Sequence, residues 1–183
     1  NYVECLWQED KYGADALAYM IHRNGKLYMK ESDNLYCRSI VTSRYDSSWD
    51  LYDQHLYRGG SRRLHTLRCM IGEDIFWPAI TDYLRTYHNK LVETDDFRKV
   101  LEKHSHRNLV PFFNEWLYSP GYPKITATYE YSPNRQQVNI HAQQTQMDEK
   151  RGIKTFSMAI PVDIAYMVPT APHPVASVPG NLV

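Results

Sequence analysis

The sequence has no excess charge of either sign: 21 lysines and arginines balance 21 aspartates and glutamates across 183 residues. That balance gives no reason to expect binding to nucleic acid or to an anionic membrane. Cysteine is scarce. Cys5, Cys37 and Cys69 cannot all pair within one chain, and none belongs to a Cys-x-x-Cys. Reduced structural thiols are the simplest account, which tilts the setting toward a reducing, cytoplasmic compartment. No apolar run reaches the length of roughly 20 residues that a membrane-spanning helix needs, and no stretch reads as a signal peptide. An initiator methionine is missing too. The chain opens NYVECLW, as if inside a helix, and reads as a fragment or a processed piece.

What is present is ordinary for a globular protein: 43% apolar and 23% charged residues, values that argue against disorder. The length suits one domain, or one domain with a small appendage. The basic cluster Arg58, Arg62, Arg63 and Arg68 reads as a solvated helix face.

Leu56 to Gly72, LYRGGSRRLHTLRCMIG, organises the chain. Gly60, Leu64, Leu67 and Ile71 repeat at helical spacing, and Gly72 is the expected stop. Tyr57 stands at the entrance, on a turn that Gly59 and Gly60 make flexible. A phenol aimed into a cleft is a neutral O–H donor able to stabilise an oxyanion; the alternative is a packed ring whose hydroxyl bonds a backbone carbonyl.

Upstream, Tyr2 to Lys11 reads as helix with Val3, Leu6 and Trp7 as its apolar stripe. Ala14 to about Lys30 follows, with Leu17, Met20, Ile21 and Tyr28 on one side and Asn24-Gly25 weakening its middle. Ser32 to Asp53 is polar and aperiodic, a long surface loop with a short extended piece at Ser39–Val41; loops that long often border a functional site. Downstream, Glu73 and Asp74 start a helix whose buried face is Phe76, Ile80, Tyr83, Leu84 and Tyr87, with Pro78 tolerated near its start. Thr94 caps another, with Phe97, Val100, Leu101 and His104 inward. Asn108 caps a last one, bearing Phe112, Phe113, Trp116 and Leu117. At Pro123 the period changes from 3.6 to 2. Ile125–Tyr131, Val138–Ala142 and Phe156–Ile164 alternate like three antiparallel strands in a meander. Pro169 to Gly180 is linker-like. The fold class is therefore α+β, with helices over residues 1–122, a small β module over 123–168 and a proline-rich tail over 169–183.

Several stretches in this order resemble the zinc aminopeptidases of the alanyl-aminopeptidase (gluzincin) family. LYRGGSRRLHTLRCMIGEDIF is similar to that family's tyrosine, lysine-glycine and apolar helix leading to Gly-Asp/Glu-x-x-Phe. ITDYLRTY, then TDDF within ETDDFRKVLEKHSHRNL, then FFNEWLYSPGYP follow at the family's spacing, and NYVECLWQEDKYG resembles the helix after the third zinc ligand. The resemblance covers about Tyr2 to Ile164. It implies the helical half of a thermolysin-like catalytic domain followed by the start of a β-sandwich, and it places Tyr57 on the tyrosine that stabilises the tetrahedral oxyanion during hydrolysis of a peptide substrate. Gly59 stands where the family usually has lysine.

The resemblance also implies zinc, held by His-Glu-x-x-His and a later glutamate. None of the eight histidines here belongs to such a motif. His104 and His106 project in different directions on a helix, and Glu4 and Glu9 fall after the ligand glutamate's place. The Gly-x-Met-Glu-Asn element that holds the substrate amine is absent as well. No residue of this chain is assigned to metal or cofactor binding. Zinc is expected in the parent protein, together with the rest of its chain, and this chain alone is expected to be inactive. Two other readings remain open here: a non-catalytic scaffold of the same architecture, or an interaction module using the aromatic face at Phe112, Phe113 and Trp116.

Overall fold

The computed structural model describes residues 1–166 and 176–182. Helix α1 (Tyr2–Tyr12) ends at Gly13, and α2 (Ala14–Asn34) runs beside it. A single 3₁₀ turn (Ser48–Leu51) interrupts the long connection that follows. A π-helical turn (His55–Gly59) then feeds directly into α3 (Gly60–Ile71). Gly72, at φ +88°, separates α3 from α4 (Glu73–Thr86). Helices α5 (Thr94–Ser105) and α6 (Val110–Trp116) complete the helical part. Strands β1 (Ile125–Ser132) and β2 (Gln137–Gln144) form one antiparallel hairpin, in which Tyr129 faces Ile140; β3 (Ile160–Tyr166) and β4 (Ala176–Leu182) form another.

The core lies between the helices: Leu17, Met20, Leu67, Phe76, Leu101 and Phe113 are among its members. Phe112 and Phe113 are buried in it, as large apolar residues at helical spacing usually are, so the aromatic face of α6 is core rather than a free docking surface. Helix α1 departs from expectation. It buries Tyr2 and Cys5, while Val3 and Trp7 are exposed. Val3 and Leu6 instead line an open apolar cavity of about 650 Å³, shared with Leu64, Phe76, Trp77 and Phe97.

Helix α2 is unbroken at Asn24-Gly25, because both residues are used. Buried Asn24 donates to Asn1 Oδ1 (2.9 Å), Cys5 Sγ (3.3 Å) and Ser61 Oγ (3.0 Å). Gly25 leaves room for the Arg62 guanidinium, 3.4 Å from where a Cβ would sit. Two caps shift by one residue. Glu93, not Thr94, precedes α5, with its N–H donating to Asp96, and Asn108 accepts from Val110 N although Leu109 is the flanking residue of α6. His104 is half-buried rather than core, paired with Asp82 at 2.9 Å.

Only part of the basic cluster is a solvated face: Arg62 is exposed and Arg58 half-buried, but the other two arginines turn inward. Arg63 and Arg68 are each 5% exposed. Arg63 donates to the carbonyls of Trp116 (2.9 Å) and Gly121 (2.7 Å) and to the Tyr28 hydroxyl (2.8 Å). Arg68 forks onto Glu9 (2.8 and 2.9 Å) and reaches Glu73.

A meander is not formed. Phe156 is buried against Trp116, with ring centroids 5.0 Å apart, and its backbone is held at both ends by the Gln144 amide. The segment expected to pair with β2 is thus docked on the helices, and β3 starts four residues late. Ala176–Leu182, expected in the linker-like tail, is a strand, and a two-stranded ladder leaves Pro179 an edge on which proline is tolerated. Residues 169–175 of that tail lie outside the described residues.

Adjacent glycines at the head of α3 make opposite predictions. Both have helical backbone angles. A Cβ on Gly59 would stand 2.8 Å from Ile40 Cδ1 and 3.0 Å from Tyr28, whereas one on Gly60 would meet nothing within 4 Å. Gly59→Ala should cost about 1–3 kcal/mol through overpacking, and Gly60→Ala should gain about 0.5–1 kcal/mol of helix propensity. Urea unfolding of both variants checks the sign of each.

Candidate functional site

Tyr57 does not sit on a flexible turn. It is the third residue of the π-helical turn, and Gly59 and Gly60 continue the helix behind it. π-helical turns carry one residue more than α-helical ones and concentrate at functional sites. The Tyr57 side chain is 41% exposed, its ring packed edge-on to Tyr52 with centroids 5.9 Å apart. Tyr52 in turn meets Trp49, at 5.1 Å, on the 3₁₀ turn.

Beneath Tyr57 lies a buried polar network that no sequence motif announces. His55 is completely buried. Its Nδ1 is 2.7 Å from Glu31 Oε2 on α2, and Arg38 N–H donates to its Nε2 at 3.3 Å. That second bond needs a lone pair on Nε2, so the ring is neutral and carries its proton on Nδ1. Burial favours the same state: it lowers the His55 pKa against the opposing pull of Glu31 and Asp53. Tyr36 stacks on the imidazole at 5.2 Å, and Tyr28 approaches it edge-on at 5.1 Å.

Asp53 sits beside this ring. Arg38 grips it bidentately, at 2.7 and 2.8 Å, and the Tyr36 hydroxyl donates to it at 2.8 Å. Burial pushes the Asp53 carboxyl up, but Arg38, the Leu56 N–H and Tyr36 outweigh it and hold the group below the usual carboxylate range. Tyr36 is pushed to about 12 by burial and by Asp53.

The resemblance implies zinc, and the residues present do not fit it. Among the described residues, only Glu31, Asp53 and His55 bring metal-ligand atoms together, all within 4.8 Å of one another. Most of their ligand atoms are already committed. Glu31 Oε2 accepts from two His55 N–H groups, Asp53 is occupied by a guanidinium, and His55 Nε2 accepts from a backbone amide. A cation would have to displace the Arg38 charge. The apolar cavity offers nothing better: its walls are mostly hydrocarbon and aromatic, and Leu56 and Gly60 reach it while Tyr57 does not. Of the residues put forward from sequence as candidates for chemistry, Tyr57 alone lies at this site; Tyr28, expected only as a core residue, packs against its imidazole. Glu31, Arg38, Asp53 and His55 went unmarked because they are spread over the aperiodic connection and the end of α2.

Comparison with known proteins agrees with the architecture. The chain matches the peptidase family M1 domain over residues 1–116. Aminopeptidase N of Lactococcus lactis subsp. lactis is 27% identical over 97 residues, which is 52% of this chain and 11% of that protein. The crystal structure of Legionella pneumophila aminopeptidase A, in complex with aspartic acid, superposes with a TM-score of 0.67 at 18% identity, covering 99% of this chain and 19% of that one. This chain therefore spans between a tenth and a fifth of the length of these relatives.

The buried imidazole makes stability depend on pH. His55 has a lower pKa folded than unfolded, so the unfolded chain binds the extra proton. Stability from this group is full above the unfolded value, about 6.5, and is lost as pH falls from there through the folded value. His65, also lowered, chiefly by burial, acts in the same direction. The urea midpoint should fall as pH drops below about 6.5, and His55→Asn should flatten part of that slope, leaving the His65 share.

Proposed function

Because the chain belongs to the peptidase M1 family, we propose that it is a segment of a zinc-dependent aminopeptidase that removes N-terminal residues from peptides, and that Tyr57 is its oxyanion donor. In this reading residues 1–122 form the helical half of the catalytic domain, and the strands from residue 123 onward begin the next domain. The zinc is held by residues outside this chain, which contributes no ligand to it. The partners are the peptide substrate and the rest of the parent polypeptide. No helix of the described residues is long and apolar enough to cross a membrane.

The observation that carries the reading is the combination at Tyr57 of an exposed phenol and a fixed backbone. Hydrolysis of an amide puts negative charge on the carbonyl oxygen as water adds to the carbon. A hydroxyl held beforehand at that oxygen lowers the barrier, because it donates where charge develops and need not reorganise. Tyr57 has the donor, and its turn is tied down residue by residue: His55 N–H to Glu31 Oε2 (3.1 Å), Leu56 N–H to Asp53 Oδ1 (2.8 Å) and Tyr57 N–H to the Asp53 carbonyl (3.2 Å). The same tyrosine falls at the position that the family resemblance assigns to this role.

In the complete aminopeptidase, Tyr57→Phe should lower kcat by about 10²–10³-fold with KM little changed, the signature of an interaction made only in the transition state. Hydrolysis of an aminoacyl-naphthylamide measures both constants. An unchanged kcat would remove Tyr57 from the chemistry. No turnover by the complete native protein would favour the non-catalytic scaffold.

A further inference from the structure

A phenol donates usefully only if its position is fixed, and little of that fixing comes from the Tyr57 ring itself, which is partly exposed and touches Tyr52. The backbone must supply it. A π-helical turn has a distinct register. Converting it to α-helix removes one residue from the turn and swings the side chains ahead of it about the axis by roughly 100°. Whatever holds the register of residues 55–59 therefore aims Tyr57.

We propose that His55 is a positioning residue for Tyr57: clamped between the Glu31 carboxylate and the Arg38 backbone amide, it locks the π-helical turn in the register that aims the phenol two residues further on. This rests on the assignment of Tyr57 given above. His55 is completely buried and acts only through the chain that connects it to Tyr57. Its imidazole is held at both nitrogens, by Glu31 at 2.7 Å and by Arg38 N–H at 3.3 Å. The rings of Tyr36 and Tyr28 confine it. Its own N–H is tied to the same Glu31 oxygen that faces its ring, so one carboxylate fixes backbone and side chain together. The wall behind the turn is equally close: Gly59 lies against Ile40 and Tyr28 with no space for a Cβ. The imidazole is thus a peg, and rotation of the turn would require pulling it from a filled socket.

The test is a double-mutant cycle on the complete aminopeptidase, read as kcat and KM for an aminoacyl-naphthylamide. His55→Asn retains a donor toward Glu31 and loses the acceptor for Arg38. It should lower kcat by about 10- to 100-fold, the scale of a misplacement near 1 Å, with KM little changed. In the Tyr57→Phe background the same substitution should have no further effect, because the group it positions is gone. Glu31→Gln, which keeps an acceptor for both His55 N–H groups, should retain most of the kcat that Glu31→Ala loses. An unchanged kcat in His55→Asn, or an equal loss in both backgrounds, would overturn the proposal. If His55→Asn does not fold, the two Glu31 variants run the same cycle with the same criteria. Tyr57→Phe alone tests the assignment beneath: if it leaves kcat intact, that assignment fails and this proposal with it, without any His55 variant entering the comparison.

Discussion

A helix that starts against packed side chains presents N–H groups with no carbonyl below them and no water to receive them. At the head of α3 that demand falls on His55, Leu56 and Tyr57, and two carboxylates meet most of it: Glu31 takes the first amide and Asp53 the second, while the Asp53 carbonyl takes the third. Half-buried carboxylates bring a demand of their own, since a charge removed from water must be paired and hydrogen-bonded. Asp53 is answered by the Arg38 charge and Tyr36, and Glu31 by hydrogen bonds alone, from the neutral imidazole of His55 and from its backbone N–H. The requirement thus spreads outward. Helix α2 must run to its last turn to carry Glu31, and the connection after it must bring Tyr36 and Arg38 back across the site. Residues 35–54 have little regular structure, yet their path is set by these partners.

Two arginines do for the packing what the carboxylates do for the turn. Arg63 has its donors on carbonyls and on a phenol, and its guanidinium also lies over the Tyr28 ring at 4.4 Å. Its planar fork serves the end of α6 and the Gly121 turn at once, which a lysine's single ammonium would not. Arg63 therefore joins α3 to the point where helices give way to strands. Tyr28 and Tyr122 extend the junction, the first donating to the Gly121 carbonyl and the second to Asp33. Arg68 works at the other end of α3, where its paired oxygens on Glu9 and its contact with Glu73 tie α1 and α4 to the same helix.

Most of the helices were legible in the sequence, because periodicity and stop signals are local. Leu17, Met20, Ile21 and Tyr28 do face inward, and Gly72 does end α3. What failed was whatever depends on distant partners. Val3 looked like core and lines an open cavity instead. Arg63 and Arg68 looked solvated because their acceptors, Trp116, Gly121 and Glu9, are between 53 and 59 positions away. Phe156 looked like a strand residue, and Trp116 captured it. The site divides in the same way. Tyr57 stood out as a candidate through the family's stretch of residues around it. Its support was not, since Glu31 and His55 are 24 positions apart and belong to no shared pattern.

Position 59 ties these strands together. The family resemblance would put lysine there, and glycine is found. A lysine would need its Cβ where Ile40 and Tyr28 already stand, at 2.8 and 3.0 Å. Tyr28 cannot withdraw freely: its hydroxyl donates to Gly121, its ring lies under Arg63, and its edge meets His55. Ile40 is in the segment whose Arg38 grips Asp53 and donates to the Ile40 carbonyl. The departure at Gly59 is thus a consequence of how closely α2 and the connection after it approach the turn, and that approach is also what buries His55. Glycine at 59 and the tightly walled turn go together, and Tyr57 lies on that turn.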